Sequence, residues 1–330
     1  MLALLQRCIT IGLLLLAAAW AVHFGQRGLP VVAGAGAPLI VFGYALFLAF
    51  EFALIWRVNR GDSAPRPTAL QLARAWWGEV VTAPVVFCWR QPFRSRSVPD
   101  STLDATCRGH TGVVFVHGFV CNRGFWNPWL HRMQCARVPC IAVNLEPVFG
   151  SIDRYVSTID DAVARLQAAT GRPPVIVAHS MGGLAVRAWM NRCGGDHRVQ
   201  HVFTIGSPHR GTWLGRFGHT TNTKQMRLDA RWLQDLLARE PSTRNRLFTC
   251  YYSNCDNIVF PPSTATLPGA DNRHVSGVAP VHLAFRPQLC DDVLRRVTAA
   301  QDAATAGEEQ RRSASGDKPV AGEHGAGVQR

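Results

Sequence analysis

Apolar positions along the chain fall into three regimes. Two long runs of nearly uniform apolarity come first. From Cys8 to Phe24 the pattern is broken only by Thr10, Trp20 and His23, and from Val31 to Trp56 the only charge is Glu51. Neither run has the polar face of an amphipathic surface helix. Each is long enough for a membrane span, which takes about 20 residues at a helical rise. Residues 1–57 are therefore expected to form two transmembrane helices that stand outside the globular fold. Ala19-Trp20-Ala21 behind Arg7 also fits the small-x-small cleavage site of a signal peptide, so the first run is either a retained anchor or a removable leader.

The second regime begins with a basic stretch, residues 58–109. Only Arg27 separates the two apolar runs, whereas Arg57, Arg60, Arg66 and Arg74 follow the second. Arginine excess marks the cytoplasmic side, which places both ends and the large domain there. Residues 68–93 carry Leu70, Leu72, Ala75, Trp76, Val80 and Val81, interrupted by Arg74 and Glu79. They suit either a headgroup-level helix with its Trp76-Trp77 pair or the first helix of the following domain. Arg90, Arg94 and Arg96 then lead onward.

From residue 110 short β-branched runs alternate with helical periodicity. Strands are expected at Thr111–Phe119, Cys140–Asn144, Pro174–His179, Val199–Ile205, Leu247–Tyr252 and His274–Gly277. An amphipathic helix is expected at Ile152–Ala169, with Val156, Ile159, Val163 and Leu166 on one face. Strand and helix in alternation give an α/β domain with a mostly parallel sheet over residues 110–300. Between Trp213 and Asn245 a polar, basic insertion carries Met226, Leu228, Trp232, Leu233, Leu236 and Leu237 at amphipathic-helix spacing. The third regime, residues 301–330, turns to Ala, Gly, Ser and mixed charge and reads as a disordered tail.

Composition changes this picture in two respects. The net charge is +13, with Lys224 and Lys318 the only lysines and arginine supplying the rest. Such a balance suits anionic lipid headgroups or nucleic acid. No base-stacking motif, zinc-finger spacing or recognition-helix pattern accompanies it, which argues against nucleic acid. Of the ten cysteines, Cys8 lies in the first apolar run, and no pair of metal-type C-x-x-C motifs is present. An odd number in the remainder favours a reducing compartment. No cofactor or metal is implied.

The candidate chemistry centres on Pro174-Val-Ile-Val-Ala-His-Ser180-Met-Gly-Gly183, a strand that turns sharply into the helix beginning Leu184-Ala-Val-Arg. A strand-to-helix turn strains its central residue and needs small neighbours two before and two after, here Ala178 and Gly182. An ordinary turn with a solvent-facing serine is the competing reading. Upstream, the strand ending in His117-Gly118-Phe119 can aim the Phe119 N–H at a developing oxyanion, with a second donor from Met181. His117 is expected to serve the loop rather than the chemistry. Downstream stands Gly206-Ser-Pro-His209-Arg-Gly-Thr212. These three motifs, in this order, resemble the α/β-hydrolase superfamily, and most of all its small bacterial lipases and lipase-like esterases. Ala178 in place of glycine and Ser207 in place of threonine are the departures.

The resemblance implies an α/β-hydrolase fold in which the 213–245 insertion forms a helical lid over Ser180; the alternative is a helix packed on the domain without moving. It also implies a Ser-Asp-His triad. A serine needs a base within hydrogen-bond reach and an acid that holds the base in the right tautomer. Ser253-Asn-Cys-Asp256-Asn-Ile-Val-Phe-Pro resembles the superfamily's acid loop, giving Asp256, with Asp271 in reserve. His282, in Ala279-Pro-Val-His-Leu-Ala-Phe, is the expected base and His274 the reserve. Relatives commonly place that histidine directly after Gly or Ala, where this chain has Pro280. The implied protein is a serine hydrolase of acyl or lipid esters, with membrane lipid met through the N-terminal helices. It would sit in a bacterial inner membrane with its catalytic domain on the cytoplasmic side, or, alternatively, facing the periplasm. A thioesterase or amidase on the same fold, or a noncatalytic membrane-anchored scaffold, remain the other readings.

Overall fold

The computed structural model describes residues 1–101 and 107–314, with side chains described as far as residue 302. Six parallel strands form one sheet: β1 (Val113–Val116), β2 (Cys140–Ala142), β3 (Val175–His179), β4 (His201–Ile205), β5 (Phe248–Tyr252) and β6 (Asp271–His274). Their spatial order is β2-β1-β3-β4-β5-β6. The first four strands in the chain, β1 to β4, are buried along their whole length. Helices cover both faces of a parallel sheet, which explains why these strands read as continuous Val/Ile/Phe runs rather than alternating ones. Register sets β1 against β3 as Val113↔Val175 through Val116↔Ala178.

The order reverses between β1 and β3, so successive crossovers pass to opposite faces there. That switch point opens a crevice at the carboxyl ends of the strands, the usual ligand position in open α/β sheets. Two apolar clusters fill the two faces. One joins β1 and β3 to α7 (Val156–Thr170) and α8 (Met181–Cys193), and the other joins them to α6 (Asn127–Cys135) and α12 (Pro287–Ala314). Trp189 and Trp126 are the largest fully buried side chains, one on each face. The last strand lies at Asp271–His274, a few residues earlier than expected. Helix α12 continues to Ala314, so the expected disordered tail is helical at its start. The rest of that expected tail, residues 315–330, lies outside the described residues.

The N-terminal third departs most from expectation. α1 (Leu2–Gln26) is long and apolar enough to cross a membrane. The second apolar run is not one straight helix. It divides at Gly43 into α2 (Pro30–Phe42) and α3 (Tyr44–Val58), and the two parts are bent by 53°. Nor do these segments stand apart from the globular domain. Gln6 is buried and donates from Nε2 to Gln91 Oε1 at 3.3 Å and to the Val120 carbonyl at 3.4 Å. Ile55 and Phe52 of α3 are buried with Ala75, Cys255, Phe260 and Ala279 in a third apolar cluster.

Helix α4 (Ala69–Pro84) opens on a capping box, Thr68 and Gln71 exchanging side-chain and backbone hydrogen bonds. It packs on the sheet domain through buried Ala75 and Glu79, while Leu70, Trp77 and Val81 stay exposed on its outer side. A π-helical turn, Val85–Arg90, joins it to the short α5 (Gln91–Phe93).

Candidate active site

Ser180 stands where the backbone is sharply turned. Ser180 sits between β3 and α8 at φ 52°, ψ −127°, a conformation that costs a non-glycine residue roughly 1–3 kcal/mol. Its neighbours hold it there. The Ser180 N–H donates to the Ile205 carbonyl at 2.9 Å, and its own carbonyl accepts from Gly183 N at 3.0 Å. A Cβ on Gly182 would lie 2.6 Å from the Val116 carbonyl oxygen and 2.7 Å from that of His117. Only glycine lets helix α8 start this close to the end of β1. Ala178 is fully buried between its register partners Val116 and Thr204.

The two expected oxyanion donors stand at the same edge. Phe119 lies three residues past Val116 and Met181 three past Ala178, and Val116 and Ala178 are register partners. Gly118 packs directly on the nucleophile, since a Cβ there would meet Ser180 Cβ at 2.9 Å. Helix α8 adds the unpaired N–H groups and positive dipole end that favour a developing negative charge.

His117 is a structural member of this edge. Its Nε2 accepts from Leu145 N at 3.0 Å, which leaves Nδ1–H to donate to the Gly118 carbonyl at 2.9 Å. Burial holds it neutral and lowers its pKa to about 4. His179 is likewise buried, stacked on Phe125 with ring centroids 4.5 Å apart, and burial lowers it to about 3.

The acid loop follows β5. Asp256 is buried, and its Oδ1 accepts from Ile258 N at 2.8 Å and Val259 N at 2.7 Å. Its Oδ2 is buried without a partner and lies 3.0 Å from where a Gly206 Cβ would stand. Gly206 directly follows Ile205, whose carbonyl accepts from the Ser180 amide, so this free oxygen lies beside the end of β4. Burial raises this carboxyl to about 7 despite the two amides that favour its anion.

Asp271 is committed elsewhere. It bridges Arg273 at 2.7 Å and is half exposed on β6. His274 ends β6 with its ring 5.2 Å from that of Tyr252.

His282 lies in α11 (Pro280–Ala284). Among the described residues its ring makes no hydrogen bond, so the structure does not join it to Ser180 or to Asp256 Oδ2. The ring packs instead on α4, where a Cβ on Gly78 would fall 2.5 Å from Nδ1. Its amide approaches Glu79 Oε2 at 3.4 Å. Burial lowers the imidazole pKa, and Arg286 lowers it further.

The residues that motif reading overlooked come from the N-terminal third. Gln91 binds Asn122 of the oxyanion loop twice, at 3.0 Å each. Glu51 accepts from Asn257 Nδ2 at 2.7 Å, beside Asp256. Glu79 is 3% exposed. The available signal was charge in the wrong place: Glu51 is the single charge in an apolar run, and Glu79 follows two tryptophans.

The 213–245 insertion contains α9 (Thr221–Gln225) and α10 (Arg231–Ala238). Buried polar contacts fasten it to the domain. Gln225 accepts from Ile152 N at 2.8 Å, Asn222 donates to the Val148 carbonyl at 2.8 Å, and Trp232 donates to Asp153 at 2.9 Å. Met226, Leu233 and Leu236 join the apolar cluster that also holds Met181.

The chain is similar to a lipase of Bacillus licheniformis at 16% identity, covering 53% of this chain and 86% of that one with a TM-score of 0.48. Aspergillus fumigatus lipase B is similar at 17% identity over 55% of this chain and 51% of its own, again at 0.48. A monoacylglycerol lipase of Paleococcus ferrophilus is similar at 14% identity over 57% of this chain and 96% of its own, at 0.42. A search of curated sequences gives no match. The model of the Alpha/beta hydrolase family matches residues 113–325, well over half of the sequence, from the first strand to beyond the last. This chain belongs to the alpha/beta hydrolase family.

Proposed function

We propose that this hydrolase is a membrane-anchored serine esterase acting on acyl or lipid esters. The observation that carries the reading is Ser180, held at φ 52° on a turn between β3 and α8 with glycine at 182. Strain of this kind persists only where the surroundings over-determine it, and it exposes a serine at the head of a helix. In the proposed reaction Ser180 Oγ attacks the ester carbonyl carbon while His282 takes its proton. The amides of Phe119 and Met181 receive the oxyanion. The alkoxide leaves with the proton from His282, and water, activated by the same imidazole, then releases the acyl group.

Asp256 orients the base. Its unpartnered Oδ2 is the acceptor for an imidazole Nδ1–H, so forming the triad requires the His282 ring to turn from Gly78 toward that oxygen. The 213–245 insertion flanks the acyl side as a lid. The membrane reading rests on α1 and on the exposed Leu14, Leu15, Leu16, Phe47 and Phe50, which form apolar surface unsuited to water. The arginines after α3 favour a cytoplasmic catalytic domain.

The decisive experiment is labelling with a fluorophosphonate. Folded protein in detergent is expected to be modified at Ser180, and Ser180→Ala to lose both the label and ester hydrolysis. Absence of label on the folded parent protein would overturn the enzyme reading in favour of a noncatalytic scaffold.

A further inference from the structure

The three segments that carry the proposed oxyanion, acid and base residues are each held from outside the hydrolase domain. The oxyanion loop is held by Gln6 and Gln91, through the Val120 carbonyl and Asn122. The acid loop is held by Glu51 through Asn257. The base segment is held by α4. There the contact is closest, because Gly78 leaves the space that the His282 ring occupies and Glu79 reaches the amide of His282. A second amide, that of Val281, also faces the Glu79 carboxyl. Both amides lie in the first turn of α11, where N–H groups have no partner within the helix. A carboxyl from another helix therefore takes the place of a local cap.

Helix α4 is in turn tied to the apolar segment. Tyr44 donates to the Val80 carbonyl at 2.8 Å and Trp76 to the Ala45 carbonyl at 2.8 Å. Gln71 donates to Ser276 at 2.8 Å, just before α11.

We infer that Glu79 is a positioning residue for the base: through the amides of Val281 and His282 it fixes the start of α11, the pivot from which the His282 ring turns from Gly78 toward Asp256, and it links that pivot to the apolar N-terminal helices. This rests on the assignment of His282 as the base. The groups that bear on Glu79 are His282 from α11, Asp256 from the acid loop and Glu51 from α3, with Arg286 acting on His282 from beyond the helix end. Arg90 and Cys88 lie on the π turn that continues α4. Burial in this company raises the Glu79 carboxyl to about 8. It is therefore mostly neutral at pH 7, and its ionisation above that places a negative charge beside the base.

The test compares Glu79→Ala, Glu79→Gln and Gly78→Ala in the full chain, with fluorophosphonate labelling of the parent protein establishing that Ser180 reacts. Glu79→Ala is expected to lower kcat on a short-chain nitrophenyl ester at least about tenfold with KM within about twofold. Glu79→Gln retains an acceptor oxygen, so it should restore most of kcat at pH 7 and abolish an inflection near pH 8 in the parent profile. A folded Glu79→Ala protein with the parent's kcat and pH profile would overturn the inference. Should Glu79→Ala fail to fold, the 15N NMR titration of the His282 imidazole decides: a titration in Glu79→Gln identical to the parent's overturns the inference, and a shifted one supports it. If the parent protein is unlabelled, the enzyme reading fails by itself. The positioning of His282 is then read without turnover, from the 15N NMR titration of its imidazole. An unchanged titration in both Glu79→Gln and Gly78→Ala overturns the inference, and a shift in either supports it.

Discussion

The two halves of the site are built by different means. The half proposed to supply the nucleophile, Ser180 with the ends of β1 and β3, is set by strand register, a strained turn and glycine at 182. Its parts lie next to one another in the sheet and are buried in its core. The acid and base half, Asp256 and His282, hangs on loops after β5 and β6 and is steadied by α3 and α4, about two hundred residues away in sequence. The first half has no freedom that the sheet does not allow. The second is only as well placed as the packing of the N-terminal helices, and in this structure the His282 ring stands on α4 rather than on Asp256.

The largest expected effect breaks the nucleophile half. Gly182→Val would drive a branched side chain into two backbone carbonyls that already lie within 2.7 Å of a Cβ. Loss of the folded state is expected, seen as absent near-ultraviolet circular dichroism. A folded, active variant would show that the turn is not closed from below as described.

Next comes the buried pair behind α8. Arg187 Nη2 meets Glu240 Oε2 at 2.6 Å with both side chains almost inaccessible. Removing the partner of a buried charge costs about 3–5 kcal/mol, so Glu240→Ala should lower Tm by at least about 6 °C. A smaller effect would mean that the 213–245 insertion is not fastened to α8 through this pair.

Asp256→Asn tests the other half. It keeps the shape and one amide acceptor but removes the charge that steadies an imidazolium, so kcat is expected to fall by roughly 10²–10⁴ with little change in Tm. A loss below about fivefold would shift the acid role elsewhere.

The halves also respond oppositely to pH. His117 and His179 are held below their unfolded values, at about 4 and about 3. The stability they contribute is present above about pH 6.5 and is lost as pH falls toward the folded values. Asp256 and Glu79 are raised, to about 7 and about 8. Their contribution is complete below about pH 4 and is lost as pH rises through 7 and 8. Between about pH 4 and 6.5 the two effects oppose each other, so Tm is expected to stay nearly level there and to fall on the acid and alkaline limbs to either side, with Glu79→Gln lessening the alkaline fall. Thermal melts across about pH 3–9 check this, and flattening of the acid limb by that substitution would contradict the separation of the halves.

Glu51→Gln should have the smallest effect. The amide oxygen can still accept from Asn257, so kcat is expected to change by less than about threefold, whereas Glu51→Leu should cost more. Equal losses from both would mean that Glu51 acts through its charge and not by holding Asn257.

The nucleophile half was legible in the sequence because it is local. The run Val175–His179 needs no distant partner to read as a buried strand, and a turn that demands small residues shows them at 178 and 182. Strand positions and the parallel sheet followed from the same β-branched runs. Asp256 was proposed from the resemblance of its loop to the superfamily's acid loop, and its bonds to Ile258 and Val259 are local. His282 was marked by chain order, but order does not say which way a ring points on a five-residue helix. The apolar runs suggested an anchor apart from the fold. Composition records only how apolar a segment is, not that Ile55 and Phe52 are buried against Cys255 and Phe260.

The sequence by itself therefore determined the hydrolase domain, its serine turn and the apolar character of the first third. These depend on residue size, branching and period, which act between neighbours. Only the tertiary structure decided that Glu51, Gly78 and Glu79 border the catalytic loops, and that Asp256 Oδ2 and the His282 ring are unjoined. Contacts between residues two hundred positions apart arise when separately specified elements pack together, and no local pattern encodes the geometry of that packing.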